Sequence, residues 1–317
     1  MAITYLSGQR IQGSSTASSM FDGSDLKAYW QFNEASTTLQ NNVASTITDN
    51  STLGDNADLT LSGSPTTEVT GTPSGIGNAV TFDGSNDYAE AGTSVSQFNF
   101  THNSTAKFSI GFWLKVNTFA SNDVILDTGT HADALNTGCQ LNLNGTDKMA
   151  FQITGSTATE VTYNVSSASY VPDTNWNHYV ITWDYSLGSA NCKFYLNGSL
   201  HDSGNIGSGT ADNGDADQAL NIGRNGGTNA QHLDGNLAEF FIIDRVITST
   251  EIEGIYNSGN GNPLTTAGRV DDKTTVTDVP VGSQFEQTND RKFYQMAEEL
   301  VDGADLKCYI KFNDVDT

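Results

Sequence analysis

Residues 75–88, GIGNAVTFDGSNDY, constrain the fold more than any other stretch of this chain. Gly75 and Gly77 lead into an apolar run through Ala79, Val80 and Phe82. A tight acidic turn follows, Asp83-Gly84-Ser85-Asn86-Asp87, and Tyr88 closes it. Strand, polar turn and returning strand is the local pattern of an antiparallel sheet. Asp83, Asn86 and Asp87 also bring oxygen atoms of the kind a hard cation such as Ca2+ takes. The plainer reading of the same residues is a solvated turn whose Asp and Asn side chains bond the local backbone.

The rest of the chain repeats this grammar. Residues 26–32 (LKAYWQF) alternate as a strand. At 108–116 (FSIGFWLKV), Phe108, Ile110, Phe112, Leu114 and Val116 share one face, while Ser109, Gly111, Trp113 and Lys115 share the other. Two runs are expected to turn at Asn-Gly, QLNLNGTDKMAFQI at Asn144-Gly145 and KFYLNGSLHD at Asn197-Gly198. Residues 176–185, 220–224 and 237–247 supply further strands, and 35–74 read as loops around one weak strand at 57–61. With 31 Gly, few Pro and abundant Ser, Thr and Asn, the composition suits many short strands, each buried on one face. One helix stands out: Thr248 is the N-cap of a capping box with Glu251, Ile252, Ile255 and Tyr256 form its apolar stripe, and Gly259 is expected to end it.

The net charge of −23, from 14 Lys+Arg against 37 Asp+Glu, excludes a nucleic-acid or anionic-membrane binder, because no basic stripe offsets phosphate repulsion. No apolar run is long enough for a membrane-crossing helix. The N-terminus lacks the basic and apolar regions of a secretory signal, so an extracellular protein of this kind needs another route, such as release by lysis. Cys139, Cys192 and Cys308 show no metal-type spacing; Cys139 and Cys192 lie in strand-like runs and could pair if their strands are adjacent, while small buried residues are the simpler account.

The organisation expected is an arm at 1–20, a sandwich at 21–264, a polar connector at 265–290 and a C-terminal segment at 291–317. That last segment repeats the first strand. MFDGSDLKAYWQFNEAST (20–37) recurs as LVDGADLKCYIKFNDVDT (300–317), with Asp302, Leu306, Tyr309 and Phe312 matching Asp22, Leu26, Tyr29 and Phe32. A lone copy of a first strand can complete a neighbour's sheet, or it can begin a further domain.

In this order the strands and the final helix resemble the laminin-G-like, concanavalin A-like jelly roll over residues 21–260. The fold class expected is all-β, a two-sheet antiparallel jelly-roll sandwich with short terminal arms and one short helix. The resemblance implies a Ca2+ ion at the rim, with Asn33 and Glu34, and Asp234 or Glu239, joining Asp83, Asn86 and Asp87. Trp30, Phe82, Trp113, Trp176 and His178 are expected to be packing residues rather than a sugar platform or a base. The acidic loop Asp212–Asp217 resembles a calcium loop in composition but lacks its terminal bidentate Glu, and is expected to be flexible. The sequons at Asn50, Asn99, Asn103, Asn144, Asn164 and Asn197 are at the level chance gives in so Asn/Ser/Thr-rich a chain.

Catalysis is poorly supported. Laminarinase relatives of this fold carry an E-x-D-x-E triplet, which is missing here, and no nucleophile elbow, zinc pair or phosphate loop occurs. The segments TYLSGQRIQGSS and VPVGSQFEQTNDRKFYQ are similar to stretches in proteins of marine phages and archaeal viruses. The leading expectation is a non-enzymatic structural protein of a virion, appendage or outer layer, assembling with itself or other surface proteins through its terminal segments. The alternative is an extracellular glycan-binding or adhesive module.

Overall fold

The structure, a computed structural model, describes residues 25–35, 38–39, 57–91, 94–118, 122–129, 137–144, 148–154, 160–164, 174–187, 191–204, 212–264, 284–287 and 292–295. The arm at 1–20, Cys308 and the repeat residues Asp302, Leu306, Tyr309 and Phe312 lie outside them. The chain divides into two compact units, Phe21–Leu264 and the two ends, Met1–Met20 with Thr265–Thr317.

In chain order the strands of the larger unit begin with β1 (Leu26–Trp30), β2 (Thr38–Leu39), β3 (Leu59–Ser62), β4 (Thr66–Val69), β5 (Ala79–Asp83) and β6 (Tyr88–Ala91). Then come β7 (Lys107–Val116), β8 (Val124–Asp127), β9 (Cys139–Asn144), β10 (Lys148–Thr154) and β11 (Glu160–Asn164). The series ends with β12 (Asn177–Asp184), β13 (Cys192–Leu196), β14 (Ser199–Gly204), β15 (Leu220–Ile222) and β16 (Asp234–Ile243). They form two antiparallel sheets. The first runs β14-β13-β12-β7-β16-β5-β4 with β1 also on β16, and the second runs β11-β10-β9-β8-β15-β6-β3-β2. This is the jelly-roll sandwich expected from the sequence. In the smaller unit, β17 (Gln284–Gln287) and β18 (Lys292–Gln295) pair as a hairpin within the stretch read as connector and tail.

One large core lies between the sheets. Phe108, Ile110, Phe112, Leu114 and Val116 face into it from β7, together with Trp30, Phe82, Phe151 and Phe240. The other face of β7 is covered as well. Ser109 Oγ donates to Arg245 O and accepts from Ile247 N, and the ring of Phe241 lies against Gly111, where a side chain would collide with it. Trp113 packs with Ala79 and Ala238 in a smaller cluster, and Trp176 packs against it. The helix α1 (Ser249–Tyr256) stacks Tyr256 on Trp113 at 5.9 Å.

Helix α1 begins as expected: Glu251 N donates to Thr248 Oγ1, and Thr248 N donates to Glu251 Oε2. It ends earlier than expected. Asn257, not Gly259, takes the left-handed cap, at φ 49°, because an Asn side chain tolerates that region and stops the helix first. The β13–β14 turn is the two-residue Asn197-Gly198 turn, with both residues at positive φ. The other Asn-Gly is not a two-residue turn, because Asn144 is still paired with Lys148 in the ladder. Residues 35–74 hold the expected weak strand as β3 and two further strands, β2 and β4, whose short, largely polar sequences leave little apolar signal. Cys139 and Cys192 are buried thiols, one in each sheet.

Strand β1 is fastened by named side chains. Arg245 Nε donates to Asp25, Lys27 pairs with Asp244, and the Tyr29 hydroxyl donates to Glu239 and accepts from Leu264 N. Asn33 Oδ1 accepts from Asn78 N at 2.6 Å.

Candidate functional site

The acidic turn of 83–87 folds as a locally bonded turn. Asp83 Oδ1 accepts from Ser85 N at 2.9 Å and Asn86 N at 3.3 Å, and these bonds hold its carboxyl below the usual range. Asp87 is buried, and its Oδ2 accepts from Asp83 N at 3.2 Å. Burial, then the charge of Asp83, pushes its carboxyl up. Asp234 sits opposite Asp83 in the ladder.

The other three residues expected at a cation, Asn33, Glu34 and Glu239, do not form one shell with these. Glu239 is five residues along β16 from Asp234, about 16 Å at strand rise. It accepts from Tyr29, and burial pushes its carboxyl up to about 7. Asn33 is engaged with Asn78, at the opposite end of β5 from Asp83, and Glu34 follows it in the chain. A joint site therefore fails on distance, because an extended strand separates the two groups. Among the described residues no three His, Cys, Asp or Glu side chains converge as a metal site needs.

The loop 212–217 is held rather than loose. Asp212 Oδ2 accepts from Thr137 Oγ1, Asp217 Oδ2 from Thr137 N, and Asp215 Oδ1 from Asn99 Nδ2. Asn213 Oδ1 takes both the amide and the hydroxyl of Ser104. Its acidic residues are spent on fastening the loop to the β7 approach, which is why it does not behave as a free acidic loop.

The feature that stands out lies on the second sheet. One register row crosses seven strands and is polar throughout: Gln152, Gln140, Asp127, Asn221, Glu90, Thr60 and Thr38. The neighbouring row, Phe151, Leu141, Leu126, Ile222, Ala89 and Leu61, is apolar and faces the core. Period-2 alternation puts the polar row on the outer face, where ordinary sheet side chains meet water. Here half of the row is buried instead. Gln152 is 6% exposed, Gln140 2%, Asn221 1% and Asp127 0%, and Asn142, one same-face step along β9, is 1% exposed. Toward β2 the row opens, and Thr60 and Thr38 are exposed.

The buried half is only partly satisfied. Asp127 Oδ1 accepts from Gln140 Nε2 at 3.2 Å and Gly129 N at 3.3 Å, and its Oδ2 accepts from Gly226 N at 2.8 Å. Burial nevertheless pushes its carboxyl up to about 7. Arg224 donates from Nε to Asn221, from Nη1 to Asn229 and from Nη2 to Glu90, with its guanidinium 3.3 Å from the Tyr88 ring centroid. Three carbonyl oxygens have no donor: Gln140 Oε1, Asn142 Oδ1 and Gln152 Oε1. Each such buried acceptor costs about 1–3 kcal/mol. Gln140 meets the Asp127 carboxyl through its Nε2. The sequence signal for these positions was the alternation of QLNLN, which an ordinary solvent-facing strand also shows.

A surface cavity of about 300 Å³ lies at the rim, walled by Ala35, the stretch Leu61–Pro65 and Thr67. Gly63 in its wall backs directly onto Asn86 and Asp87, so the cavity adjoins the acidic turn.

Comparison with known proteins adds a family and a fold. A family model described as the concanavalin A-like lectin/glucanases superfamily matches residues 83–253, more than half of the chain. Among solved structures, the binding domain of Paraclostridial Mosquitocidal Protein 1 superposes with a TM-score of 0.52 at 17% identity, over 75% of this chain and 53% of that one. The receptor-binding domain of botulinum neurotoxin mosaic serotype C/D gives 0.51 at 15% identity, over 74% and 51%. Domain 4 of AbnA, an extracellular arabinanase from Geobacillus stearothermophilus solved with arabinotriose, gives 0.51 at 16%, over 72% and 97%. At these identities the likeness is one of fold, and the match spans about half the length of the two toxin domains. No curated protein matches the chain in sequence.

Proposed function

Because the chain belongs to the concanavalin A-like lectin/glucanases superfamily, we propose that it is a binding module that holds a glycan on the outer face of its second sheet. The observation that carries this reading is the open end of the polar row, where Thr60 and Thr38 are exposed beside the half-buried Glu90. Sugar hydroxyls can bond these side chains at the spacing the sheet sets, about 5 Å between strands. The arabinotriose complex of the arabinanase domain supports the same reading from a protein of similar fold.

The same face argues against hydrolysis. Asp127 and Glu90 flank Asn221 in the row, about 10 Å apart across two strand spacings, close to the separation inverting glycosidases use. Neither carboxylate is free to act. Gly226 lies directly on Asn221 and Asp127, and Glu90 is tied to Arg224.

The test is a pair of variants, Thr60→Val and Thr38→Val, followed by glycan titration and thermal melts. Each is expected to weaken binding at least about tenfold, equal to 1.4 kcal/mol. Both positions are exposed, so the melting temperature should move by no more than the roughly 2–4 °C that 1 kcal/mol gives. Intact binding in both variants would take the glycan off this end of the face.

A second reading, a structural component of a virion or outer layer joined through its ends, has one observation in its favour. The residues that fasten β1, namely Asp25, Lys27, Tyr29 and Asn33, all recur in the tail as Asp305, Lys307, Tyr309 and Asn313.

A further inference from the structure

We infer that the rim cavity beside Gly63 is a subsite for the terminal residue of the glycan, so that the protein holds a sugar chain by its end. The inference rests on the glycan reading above and adds to it the part of the ligand that is recognised.

Three features of the cavity point the same way. First, it continues the open end of the face. Thr60 and Ser62 are same-face neighbours on β3, about 7 Å apart, and Ser62 is part of the cavity wall. A sugar chain lying on Thr60 runs next onto Ser62 and into the cavity. Second, the walls suit a sugar ring and are open to it. Ser64 and Ala35 are exposed, and Ser62 and Thr67 are half-buried. The hydroxyls of Ser62, Ser64 and Thr67 bond no other described residue, and each can both donate and accept. Ala35, Leu61 and Pro65 supply apolar surface for the C–H face of the ring. At about 300 Å³ the cavity stands at the small end of ligand sites, with room for one ring rather than a run of them. Third, it is closed on its far side. Strand β3 belongs to the second sheet and β4 to the first, so residues 63–65 carry the chain over the rim between them. Gly63, at φ 98°, backs onto the acidic turn so closely that a Cβ there would collide with Asn86 O and Asp87 Oδ1. No passage is left behind it.

A residue inside a sugar chain has glycosidic bonds leaving on two sides, and a cavity open on one side admits only a residue at an end. The backbone of the wall agrees with a site of this kind. Ser64 is not a glycine, yet it holds φ 134°. Such strain persists only where the surroundings over-determine it, and it clusters at ligand clamps.

The experiment is calorimetric titration of the full 317-residue chain with linear arabino- and malto-oligosaccharides, from the disaccharide to the long polymer. Cyclomaltoheptaose, which has no end, is the matched control for maltoheptaose. The expected result is one protein bound per linear chain whatever its length, and no binding of the cyclic sugar. Ala35→Trp fills the cavity from an exposed position, and Thr67→Val removes one hydroxyl while keeping a residue suited to β4. Each should weaken the linear sugar at least about tenfold and leave the melting temperature unchanged. Binding that Thr60→Val weakens but Ala35→Trp and Thr67→Val leave intact overturns the inference and leaves the glycan reading standing. A number of bound proteins that rises with polymer length does the same, as does a cyclic sugar bound as tightly as maltoheptaose. No binding of either series overturns both.

Discussion

His178 offers a sharp test of how the packing beneath α1 governs stability. Its ring lies in β12, 1% exposed, against Trp113 at 5.2 Å and Tyr256 at 6.2 Å. Neither ring nitrogen has a partner, and burial pushes its pKa down to about 3. In the unfolded chain a histidine titrates near 6.5, so between those values protons bind the unfolded state and draw the equilibrium toward it. Stability from this residue is full above pH 6.5 and falls by about 1.4 kcal/mol per unit as the pH drops. Between pH 6.5 and 4.5 the loss is about 2.3 kcal/mol. His178→Phe keeps an aromatic ring and removes the proton site. Urea unfolding of both proteins at several pH values isolates the effect, because every other titrating group cancels in the difference. The variant should gain on the parent by about 2.3 kcal/mol over those two units. It should also be no less stable at pH 7.5, since two buried unpaired nitrogens are removed. A difference that is flat with pH would refute the claim that the fold holds this ring neutral. A difference of the opposite sign would mean a protonated, paired histidine.

Glu239 should titrate in the other direction. Its folded pKa, raised to about 7 by burial, means that its stability contribution is full below about pH 4.5 and is lost as the pH rises through 7. Glu239→Gln, which keeps an acceptor for Tyr29, should match the parent in thermal melts at pH 4 and exceed it at pH 8 by up to about 3 kcal/mol. Removing residues 291–317 tests the assembly reading: light scattering should show a multimer that falls to monomer on truncation, and equal masses for the two chains would end that reading.

Much of the sandwich was legible because its signals are local. The alternation at Phe108–Val116 and the capping box at Thr248–Glu251 each sit within one element and need no distant partner. The polar row is the opposite case. Gln152, Gln140, Asp127, Asn221 and Glu90 come from five strands, and only their register makes them one surface. Their burial was equally hidden, since QLNLN reads as a strand with one wet face. The cation set failed for a related reason. Asp234 and Glu239 look close in the sequence, but an extended strand places them far apart, and a bulge with Glu239 at φ 52° turns its carboxyl into the contact with Tyr29.

Strand β16 also sets a clock on the birth of this protein. It pairs with β1, β5 and β7, all of which lie before residue 117, yet it begins only at Asp234. The gap from Val116 to Asp234 is 234 − 116 = 118 residues. A ribosome adding about 5–20 residues each second needs roughly 6–24 s to cover it. Through that interval the three early strands have been made and their shared partner has not. Edges bearing Phe108, Ile110 and Phe112 then depend on transient pairing, or on a chaperone, to stay out of other chains. The order of strands in the finished sheet thus makes the nascent chain, more than the folded protein, the stage at which aggregation is decided.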